Sequence, residues 1–248
     1  MSAILIRPRL FQNVEPVRAG FTTRSGGVST GAFASLNMGL STGDDPEAVR
    51  LNRRRAAQLL GFSASDMAIP GQIHGSEVLH VTEPGLYAGF DGVVTASRGI
   101  LLGISAADCA AVLLADAEAG VVGACHAGWR GALGGVVEKT VGAMNELGGA
   151  PRRILAWISP CISAEHFEVG EEVASQFDAE FVVRRSPWPR PHVDLAGFIR
   201  SRLIGAGLAS DGIETSGRCT VAESDVFFSH RANRGHTGRM MGLVGLAT

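Results

Sequence analysis

The stretch Val121-Val-Gly-Ala-Cys-His-Ala-Gly-Trp-Arg-Gly-Ala-Leu-Gly-Gly-Val-Val137 contains an apolar run, a glycine-rich turn and the start of a helical pattern. The continuous apolar run Val121–Cys125 is typical of a strand that is covered on both faces. Apolar residues then recur at helical spacing over Ala132–Leu147, and two glycines follow, which predicts a helix with those bounds. A buried strand that leads directly into a helix predicts a fold that contains both elements.

Further short apolar runs on both sides of this unit predict more strands. They are Arg18–Thr23, Met67–Ile73, Val78–Val81, Gly92–Thr95, Ile100–Ser105, Ala110–Leu114 and Ile154–Ile158. Two more helices are predicted near Glu171–Phe177 and Leu195–Leu208, and the proline-rich segment Arg184–Pro191 is predicted to be a surface loop. There is no internal repeat and no linker. We therefore predict one α+β domain over residues 1–248, with mixed β-sheets.

A fourth helix is predicted to begin at Pro46, with Asp45 as its N-cap, and to end at Gly61. Its polar face carries four arginines, and arginine is mostly exposed in folded proteins. They are Arg50, Arg53, Arg54 and Arg55. We expect all four to form a solvated face.

The composition excludes several classes of protein. Of the 248 residues, 46% are hydrophobic and 19% are charged, which argues against disorder. The 22 Lys and Arg against 24 Asp and Glu give a net charge of −2, so we expect no nucleic-acid partner. No apolar run approaches the length of about 18 residues that a membrane span needs. The apolar run Ala3–Ile6 is too short for a signal peptide, so we expect a cytoplasmic protein with free thiols.

Candidate reactive side chains lie at the ends of the predicted strands. His74, Cys109 and His126 offer two imidazoles and one thiolate, a ligand set that suits Zn²⁺ and leaves a fourth position for water. Their wide separation matches no local metal motif, and histidines beside apolar strands are often hydrogen-bonded core residues. Alternatively, Cys109 is a nucleophile with His126 as its base and an acid such as Asp108 nearby. Cys125 cannot pair with His126, because neighbouring strand residues face opposite ways. The two hypotheses use the same residues, so both stay open.

A second candidate feature is the glycine-rich helix start around Arg130. Backbone N–H groups and the helix dipole favour an anion there, and Arg130 offers a bidentate contact to phosphate or carboxylate. Alternatively, the glycines only permit close packing of the helix on the sheet. Arg24, Arg231 and Arg239 are either further anion contacts or ordinary surface arginines.

Many short motifs together resemble one family from end to end. They are Phe21–Gly31, Ser35–Leu40, Gly43–Pro46, Asn52-Arg53, Gln72–His74, Asp91-Gly92, Ala107–Cys109, His126–Gly131, Ser159–Ile162 and Thr237–Arg239. In this order they resemble the YfiH family, also called DUF152, the multicopper polyphenol oxidoreductase (laccase) family or the peptidoglycan editing factor family.

The resemblance implies a layered sandwich of sheets and helices, and a zinc site formed by His74, Cys109 and His126. It implies a purine nucleoside phosphorylase acting on adenosine, inosine, guanosine or methylthioadenosine, which also deaminates adenosine. Asp108 and Arg130 are the implied catalytic residues. The expected contacts to nucleoside and phosphate come from Arg24, Asn37, Gln72, Arg130 and Arg239. The sequence does not predict the oligomeric state.

Other functions remain as alternatives. One is a cysteine hydrolase or amidase that acts on peptidoglycan precursors, with Cys109 as nucleophile and no metal. Another is a copper-binding polyphenol oxidase, although the seven histidines are scattered and no His-x-His pair occurs. A module that binds nucleotides or metal without turnover is the third. The zinc deaminase pattern His-x-Glu with Pro-Cys-x-x-Cys is absent, so deamination would use a different scaffold.

Overall fold

A computed structural model of the chain describes residues 4–248, and two six-stranded sheets dominate it. The strands are β1 (Leu5–Ile6), β2 (Val17–Thr22), β3 (Met67–Gly71), β4 (Val78–His80), β5 (Gly85–Ala88), β6 (Gly92–Thr95), β7 (Leu101–Ala106), β8 (Ala110–Asp116), β9 (Val121–Ala127), β10 (Leu155–Ile158), β11 (Val182–Val183), β12 (His192–Val193), β13 (Ile213–Thr215) and β14 (Met240–Leu246). The α-helices are α1 (Pro46–Gln58), α2 (Trp129–Leu133), α3 (Val136–Glu146), α4 (Glu171–Ala174) and α5 (Leu195–Gly205).

Both large sheets are mixed. The first sheet has the order β1-β2-β14-β7-β3-β5, and the second has the order β13-β10-β8-β9-β6-β4. In the first sheet β14 is antiparallel to β2 and β7, whereas β3 is parallel to β7 and β5. In the second sheet β9 pairs antiparallel with β6 and β8, and β10 runs parallel to β13. Strands β11 and β12 form a small separate pair.

The side chains of β8 show how the layers pack. Val112 and Leu114 belong to a core cluster with helices α3 and α5, whereas Ala111 and Leu113 pack between the two sheets. This alternation follows from the two-residue period of a strand. Helix α1 covers the outer face of the first sheet through a third cluster. The order is helix, sheet, sheet, helices, which confirms the predicted α+β domain with mixed sheets sandwiched by helices.

The predicted helix over Ala132–Leu147 is wrong in one respect, because the structure divides it into α2 and α3. Gly135 separates the two helices with φ +84°, a left-handed conformation that a helix cannot contain. Helix α2 begins three residues earlier than predicted, at Trp129. The helical spacing is real in α3, where Val137 and Val141 are buried.

Helix α1 begins as predicted. The Asp45 side chain accepts a hydrogen bond from the Glu47 N–H group, and Pro46 is the first helical residue. The helix ends at Gln58, before the predicted Gly61. The predicted solvated face is wrong at two positions. Arg53 is half-buried and donates from Nε to the Met38 carbonyl at 2.9 Å, and Arg55 is half-buried and donates to the Gly26 carbonyl at 3.0 Å.

The predicted strands are all present, with bounds that shift by up to two residues. One shift matters for the site: β3 ends at Gly71, so Gln72–His74 lie in the loop that follows it. The sequence analysis missed β14, which is central in the first sheet. The segment Arg184–Pro191 is a loop, as predicted. Within residues 4–248, no helix has the length and apolar character of a membrane span.

Candidate metal centre

Three chain segments bring His74, Cys109 and His126 together at one end of the strands. His74 follows β3, Cys109 lies between β7 and β8, and His126 is the next-to-last residue of β9. One ligand atom from each of the three residues lies within 4.8 Å of the others. The two imidazole rings meet edge to face, with centroids 4.8 Å apart. Residues that are far apart in sequence therefore form one compact group of nitrogen and sulfur donors.

Asp91, immediately before β6, positions both histidines. Its buried carboxylate accepts hydrogen bonds from the backbone N–H groups of Ile73, His74 and Gly75 at 3.0, 3.0 and 2.8 Å. These bonds hold the loop in which His74 has φ +60°, a left-handed conformation. Asp91 also lies 2.8 Å from Nδ1 of His126. Because this bond occupies Nδ1, Nε2 is the ring nitrogen of His126 that faces the Cys109 thiol and that a metal ion would use, an arrangement common around metal-binding histidines.

Asp91, His126 and Cys109 shift one another's pKa values toward their charged forms. Burial alone raises the pKa of the Asp91 carboxyl, but hydrogen bonds from His126, Ile73 and Gly75 outweigh it and hold the pKa below its usual range. Burial lowers the pKa of His126, but the Cys109 thiolate and Asp91 outweigh this effect and raise it to about 9. Burial raises the pKa of the Cys109 thiol, but the charge of His126 and hydrogen bonds from both histidines lower it to about 6. The metal-free site therefore holds a thiolate and an imidazolium at neutral pH.

The space beside the group fits a small ion. A Cβ atom on Gly128 would lie 2.8 Å from the Cys109 Sγ atom and 3.5 Å from Cδ2 of His74. Glycine keeps this approach open, because any side chain would occupy the space beside two of the donors. Zn²⁺ binds cysteine and histidine at about 2.0–2.3 Å, so donor atoms up to 4.8 Å apart must move slightly together to share one ion. Two imidazoles and a thiolate suit Zn²⁺, and they also suit copper.

Asp108 is near the group, but its carboxylate is not the partner of His126. Its Oδ1 atom accepts from the Thr220 hydroxyl at 2.6 Å, and Oδ2 accepts from the Arg231 N–H group at 2.6 Å. Its backbone carbonyl accepts from the Ile162 N–H group at 2.8 Å. The acid beside His126 is Asp91, contrary to the interpretation that gave this place to Asp108. Asp108 ties the turn that carries Cys109 to two other loops.

Three residues expected to contact substrate have side chains that bind other parts of the chain. Gln72 exchanges two hydrogen bonds with the backbone of Ser105, each 2.8 Å long, and joins the ends of β3 and β7. The Asn37 side chain is fully buried and accepts from the Arg239 N–H group at 2.8 Å. Arg24 donates to the carbonyls of Ala34 and Ser224. These contacts hold the loops around the site.

The remaining predicted anion-binding residues differ in their surroundings. Arg130 is exposed, and its guanidinium lies over the Trp129 ring at 4.2 Å from the centroid. Arg231 donates to the carbonyls of His166 and Glu168. Arg239 precedes β14, and burial lowers the pKa of its guanidinium, although the charges of Cys109 and Asp108 act in the opposite direction. Arg239 is thus the predicted arginine whose charge interacts with the thiolate of the group.

The four cysteines are free thiols, as predicted. Cys125 is buried on the opposite face of β9 from His126, and burial raises the pKa of its thiol to about 12. It takes no part in the group. Sequence reasoning did not find the role of Asp91, although an aspartate directly before the apolar strand 92–95 is the signal that was available.

The fold and the site define a class of protein: a two-sheet α+β sandwich that carries a His-Cys-His group at one end of its strands. A family model described as multi-copper polyphenol oxidoreductase laccase matches residues 18–247, and the chain belongs to this family. The match confirms the resemblance that the sequence motifs indicate.

Relatives and solved structures agree with this assignment. The chain is 49% identical over 230 residues to a protein of Deinococcus radiodurans named purine nucleoside phosphorylase, covering 91% of this chain and 88% of that protein. A Corynebacterium glutamicum protein of the same name is 39% identical over 238 residues, covering 93% and 95%. The fold matches the crystal structure of YlmD from Geobacillus stearothermophilus with a TM-score of 0.92 and 34% identity, over 100% of this chain and 98% of that one. YfiH from Bacillus licheniformis, described as a hypothetical protein, gives 0.92 at 30% identity, over 99% and 97%.

Proposed function

We propose that this chain is a zinc-dependent purine nucleoside phosphorylase, with Zn²⁺ held by His74, Cys109 and His126. The observation that carries the proposal is the convergence of these three donors within 4.8 Å beside the space that Gly128 keeps open. The names of the relatives supply the substrate class, a purine nucleoside together with phosphate. Adenosine, inosine, guanosine and methylthioadenosine are the proposed nucleosides. The free cysteines agree with the reducing conditions of the cytoplasm, which is the proposed location.

In phosphorolysis, a phosphate oxygen forms a bond to the ribose C1′ atom while the bond from C1′ to the purine nitrogen breaks. The electron pair of that bond leaves with the purine, which takes up a proton, and ribose 1-phosphate is the other product. Arginine side chains must hold the phosphate near C1′ and balance its charge. We assign this part to Arg130 and Arg239. A bound Zn²⁺ supplies Lewis acidity at the same place.

The other residues around the site hold its shape. Asp91 fixes the two histidines, and Asp108 fixes the turn of Cys109, so we propose Asp108 as a positioning residue. Gln72, Asn37 and Arg24 hold the surrounding loops through the contacts described above. Hydrolytic deamination of adenosine, in which water replaces the amino group at C6 and ammonia leaves, is proposed as a second reaction of the same site.

Purified protein incubated with adenosine and phosphate tests the proposal. We expect adenine and ribose 1-phosphate in equal amounts, and loss of both products when a chelator removes the metal. Inosine in the phosphate-free reaction would support deamination. A Cys109→Ser variant should lose most of its bound zinc, whereas Cys125→Ser should keep it. Adenine release that is unchanged after complete removal of metal would contradict zinc dependence.

Zinc is proposed over copper because of the number of donors. Within residues 4–248, His74, Cys109 and His126 form the one group of three or more such side chains that meet. A multicopper centre needs several such groups, whereas one zinc ion needs one. Metal analysis of protein expressed with both metals available distinguishes them, and one equivalent of zinc is the expected content.

The geometry also favours a second candidate, a cysteine hydrolase that acts on an amide of a peptidoglycan precursor. Cys109, His126 and Asp91 are arranged as nucleophile, base and orienting acid, and the low pKa of Cys109 suits a nucleophile. This enzyme would work without metal. Chelator treatment followed by an amidase assay separates the two, because only the hydrolase would keep its activity.

A further inference from the structure

Cys161 and Cys219 are paired across an isolated parallel β-bridge between the loops that follow β10 and β13. The Cys161 N–H group donates to the Arg218 carbonyl at 3.3 Å, and the Thr220 N–H group donates to the Cys161 carbonyl at 3.0 Å. Paired strands lie about 4.7–4.9 Å apart, and a disulfide needs Cα atoms about 4.4–6.8 Å apart. Residues paired in this way have their side chains on the same face. The bridge therefore places the two thiols where one disulfide could join them.

Hydrogen-bonding groups meet at the sulfur of Cys219. The backbone N–H groups of Ser163 and Ala222 donate to it at 3.4 and 3.5 Å. Nδ1 of His166 lies 3.5 Å from the same sulfur and 3.3 Å from the Ser163 hydroxyl oxygen. An imidazole in this place can take the proton of the thiol, and the two N–H groups can hold the negative charge that remains on sulfur. These are the surroundings of a reactive cysteine.

A small oxidant can reach both cysteines. Cys219 is 9% exposed, and the neighbouring His166 is half-buried. Cys161 is 4% exposed, but it lines a cavity of about 270 Å³. The lining of this cavity also includes the exposed residues Glu165 and Gly217, so the cavity reaches the surface. Hydrogen peroxide is small enough to enter it.

The loops of the two cysteines also hold the turn that carries Cys109. The Ile162 N–H group donates to the backbone carbonyl of Asp108 at 2.8 Å, and the Thr220 hydroxyl donates to Oδ1 of Asp108 at 2.6 Å. Ile162 directly follows one cysteine of the pair, and Thr220 directly follows the other. A bond between the two thiols would therefore join two supports of the candidate metal group without using any of its three ligands.

We propose that Cys161 and Cys219 form a redox-sensitive dithiol that hydrogen peroxide converts to a disulfide, with His166 as the base. The Cys219 sulfur attacks one peroxide oxygen as its proton moves to His166. The O–O bond breaks, and the leaving hydroxide takes that proton and departs as water. The Cys161 sulfur then attacks the sulfur of the Cys219 sulfenic acid, the S–S bond forms, and the S–O bond breaks. The departing OH group takes the Cys161 proton as a second water, so the peroxide is reduced and both thiols are oxidised.

The two thiols have different roles in this reaction. Burial and the charge of Cys219 raise the pKa of the Cys161 thiol above its usual range. Because the thiolate is the form that attacks peroxide, Cys161 is not the first to react. It lies beside Cys219 and resolves the sulfenic acid. Under reducing conditions the pair stays as two thiols, and the disulfide forms only when peroxide is present.

Peptide mapping of the full-length, zinc-loaded protein tests the proposal, because trypsin separates the cysteines. Peptide 154–184 contains Cys161, peptide 219–231 contains Cys219, and peptide 99–130 contains both Cys109 and Cys125. The protein is treated with hydrogen peroxide, and the remaining thiols are then blocked with N-ethylmaleimide. We expect peptides 154–184 and 219–231 to be linked, in a chain that migrates as a monomer on a non-reducing gel. Dithiothreitol should remove the link.

Variants test the role of each residue. Cys161→Ser should stop at the Cys219 sulfenic acid, which dimedone traps, and Cys219→Ser should give neither sulfenic acid at this position nor the link. His166→Phe should slow formation of the link by about tenfold or more, because the base is lost. The control His80→Phe changes an exposed histidine on β4, at the opposite edge of the second sheet from β10 and β13, and should react as wild type does.

Circular dichroism and zinc content establish that each variant is folded, and His166→Asn takes the place of His166→Phe if that variant does not fold. The proposal is overturned if peroxide gives no link in wild type, if the linked peptide is 99–130, or if the link joins two chains. A wild-type rate in the folded His166 variant overturns the role of His166 as the base. Purine release is not measured in this test, so failure of the proposed function leaves the result unchanged.

Discussion

Oδ1 of Asp91 lies 2.8 Å from Nδ1 of His126, and the same oxygen accepts the backbone N–H of His74 at 3.0 Å. One buried oxygen atom therefore sets the positions of two of the three donors. The other oxygen accepts from Ile73 and Gly75, so the carboxylate has four N–H partners. The geometry of the metal group depends on this residue, although Asp91 is not itself a donor to the ion.

Replacing Asp91 by Asn tests this dependence. The amide keeps one acceptor oxygen but puts an NH₂ group against N–H donors, so we expect zinc affinity to fall by about 10–100-fold. The free energy of unfolding should fall by about 1–3 kcal/mol, because buried donors lose their acceptor. The matched control is Asp116→Asn at the far end of β8, where a buried carboxylate accepts from Ala150 and Ala119. That variant should lose stability and keep its zinc affinity, measured by competition with a chromophoric chelator.

Gly128→Ala should weaken metal binding through contact alone. The backbone of Gly128 has φ −75° and ψ 169°, which alanine adopts without strain, but the added Cβ would lie 2.8 Å from Cys109 Sγ. We expect a loss of zinc affinity of about tenfold or more, as for other changes that displace a ligand. In the control Gly142→Ala, on α3, the Cβ meets nothing within 4 Å. That change should raise the free energy of unfolding by about 0.5–1 kcal/mol and leave zinc binding unchanged. Equal zinc affinity in both variants would contradict the idea that Gly128 keeps space open for the ion.

Zinc binding should release protons in a pH-dependent way. Between pH 6 and pH 9 the metal-free site holds the Cys109 thiolate and the His126 imidazolium, because their pKa values are about 6 and about 9. Bound zinc needs the thiolate and a neutral imidazole, so binding near pH 7.5 should release about one proton from His126. The number should rise below pH 6, where the thiol is protonated, and fall above pH 9. Calorimetry in buffers of different ionisation enthalpy measures the number of protons released. No release at pH 7.5 would rule out the pair of Cys109 thiolate and His126 imidazolium.

Alkylation of Cys109 distinguishes a metal ligand from a free nucleophile. In zinc-loaded protein the thiolate is engaged, so iodoacetamide should react slowly, and chelator treatment should speed the reaction. Because the pKa of Cys109 is lowered, the rate in metal-free protein should rise through pH 6 and level off above pH 7. Peptide mapping by mass spectrometry identifies the modified cysteine, with buried Cys125 as the unreactive control. Fast labelling of zinc-loaded protein with parallel loss of activity would favour the cysteine hydrolase.

Arg130→Lys tests the second arginine assigned to phosphate. Lysine keeps the charge but loses the planar fork and the stacking on Trp129, so the phosphate KM should rise several-fold while kcat changes less. The control is Arg152→Lys, an exposed arginine in the turn Pro151–Arg153. If the phosphate KM is the same in both variants, Arg130 only packs on Trp129 and the anion binds elsewhere.

The sequence predicts an α+β domain with buried mixed sheets because continuous apolar runs identify buried strands, and the layered sandwich is what the family resemblance implies. It does not predict the break at Gly135, since a glycine within a helical pattern is often tolerated and only the backbone angle shows the interruption. It also misses β14, where Gly242 and Gly245 interrupt the apolar run. In the fold, Gly242 allows the two sheets to approach, because a Cβ there would lie 2.8 Å from Cβ of Ala111.

The three candidate metal ligands could be predicted from the sequence, but the residues that hold the surrounding loops in place could not. His74, Cys109 and His126 have the residue types of a zinc site, and their order in the chain matches a family. Asp91 and Arg53 act through contacts with residues far away in the sequence, and a basic helix face ordinarily indicates exposure to solvent. Only the tertiary structure shows that Asp91 is a buried hydrogen-bond acceptor and that Arg53 is a half-buried cation.

The central place of β14 has a consequence for the order in which the molecule is made. In the first sheet β14 lies between β2 and β7, and both of these strands are synthesised long before Met240. The hydrogen bonds that join the two parts of this sheet therefore cannot form until β14 has been synthesised. Contacts between such distant segments form late in folding. Arg239 arrives with this strand, so its part of the site forms after the three candidate metal ligands have been synthesised.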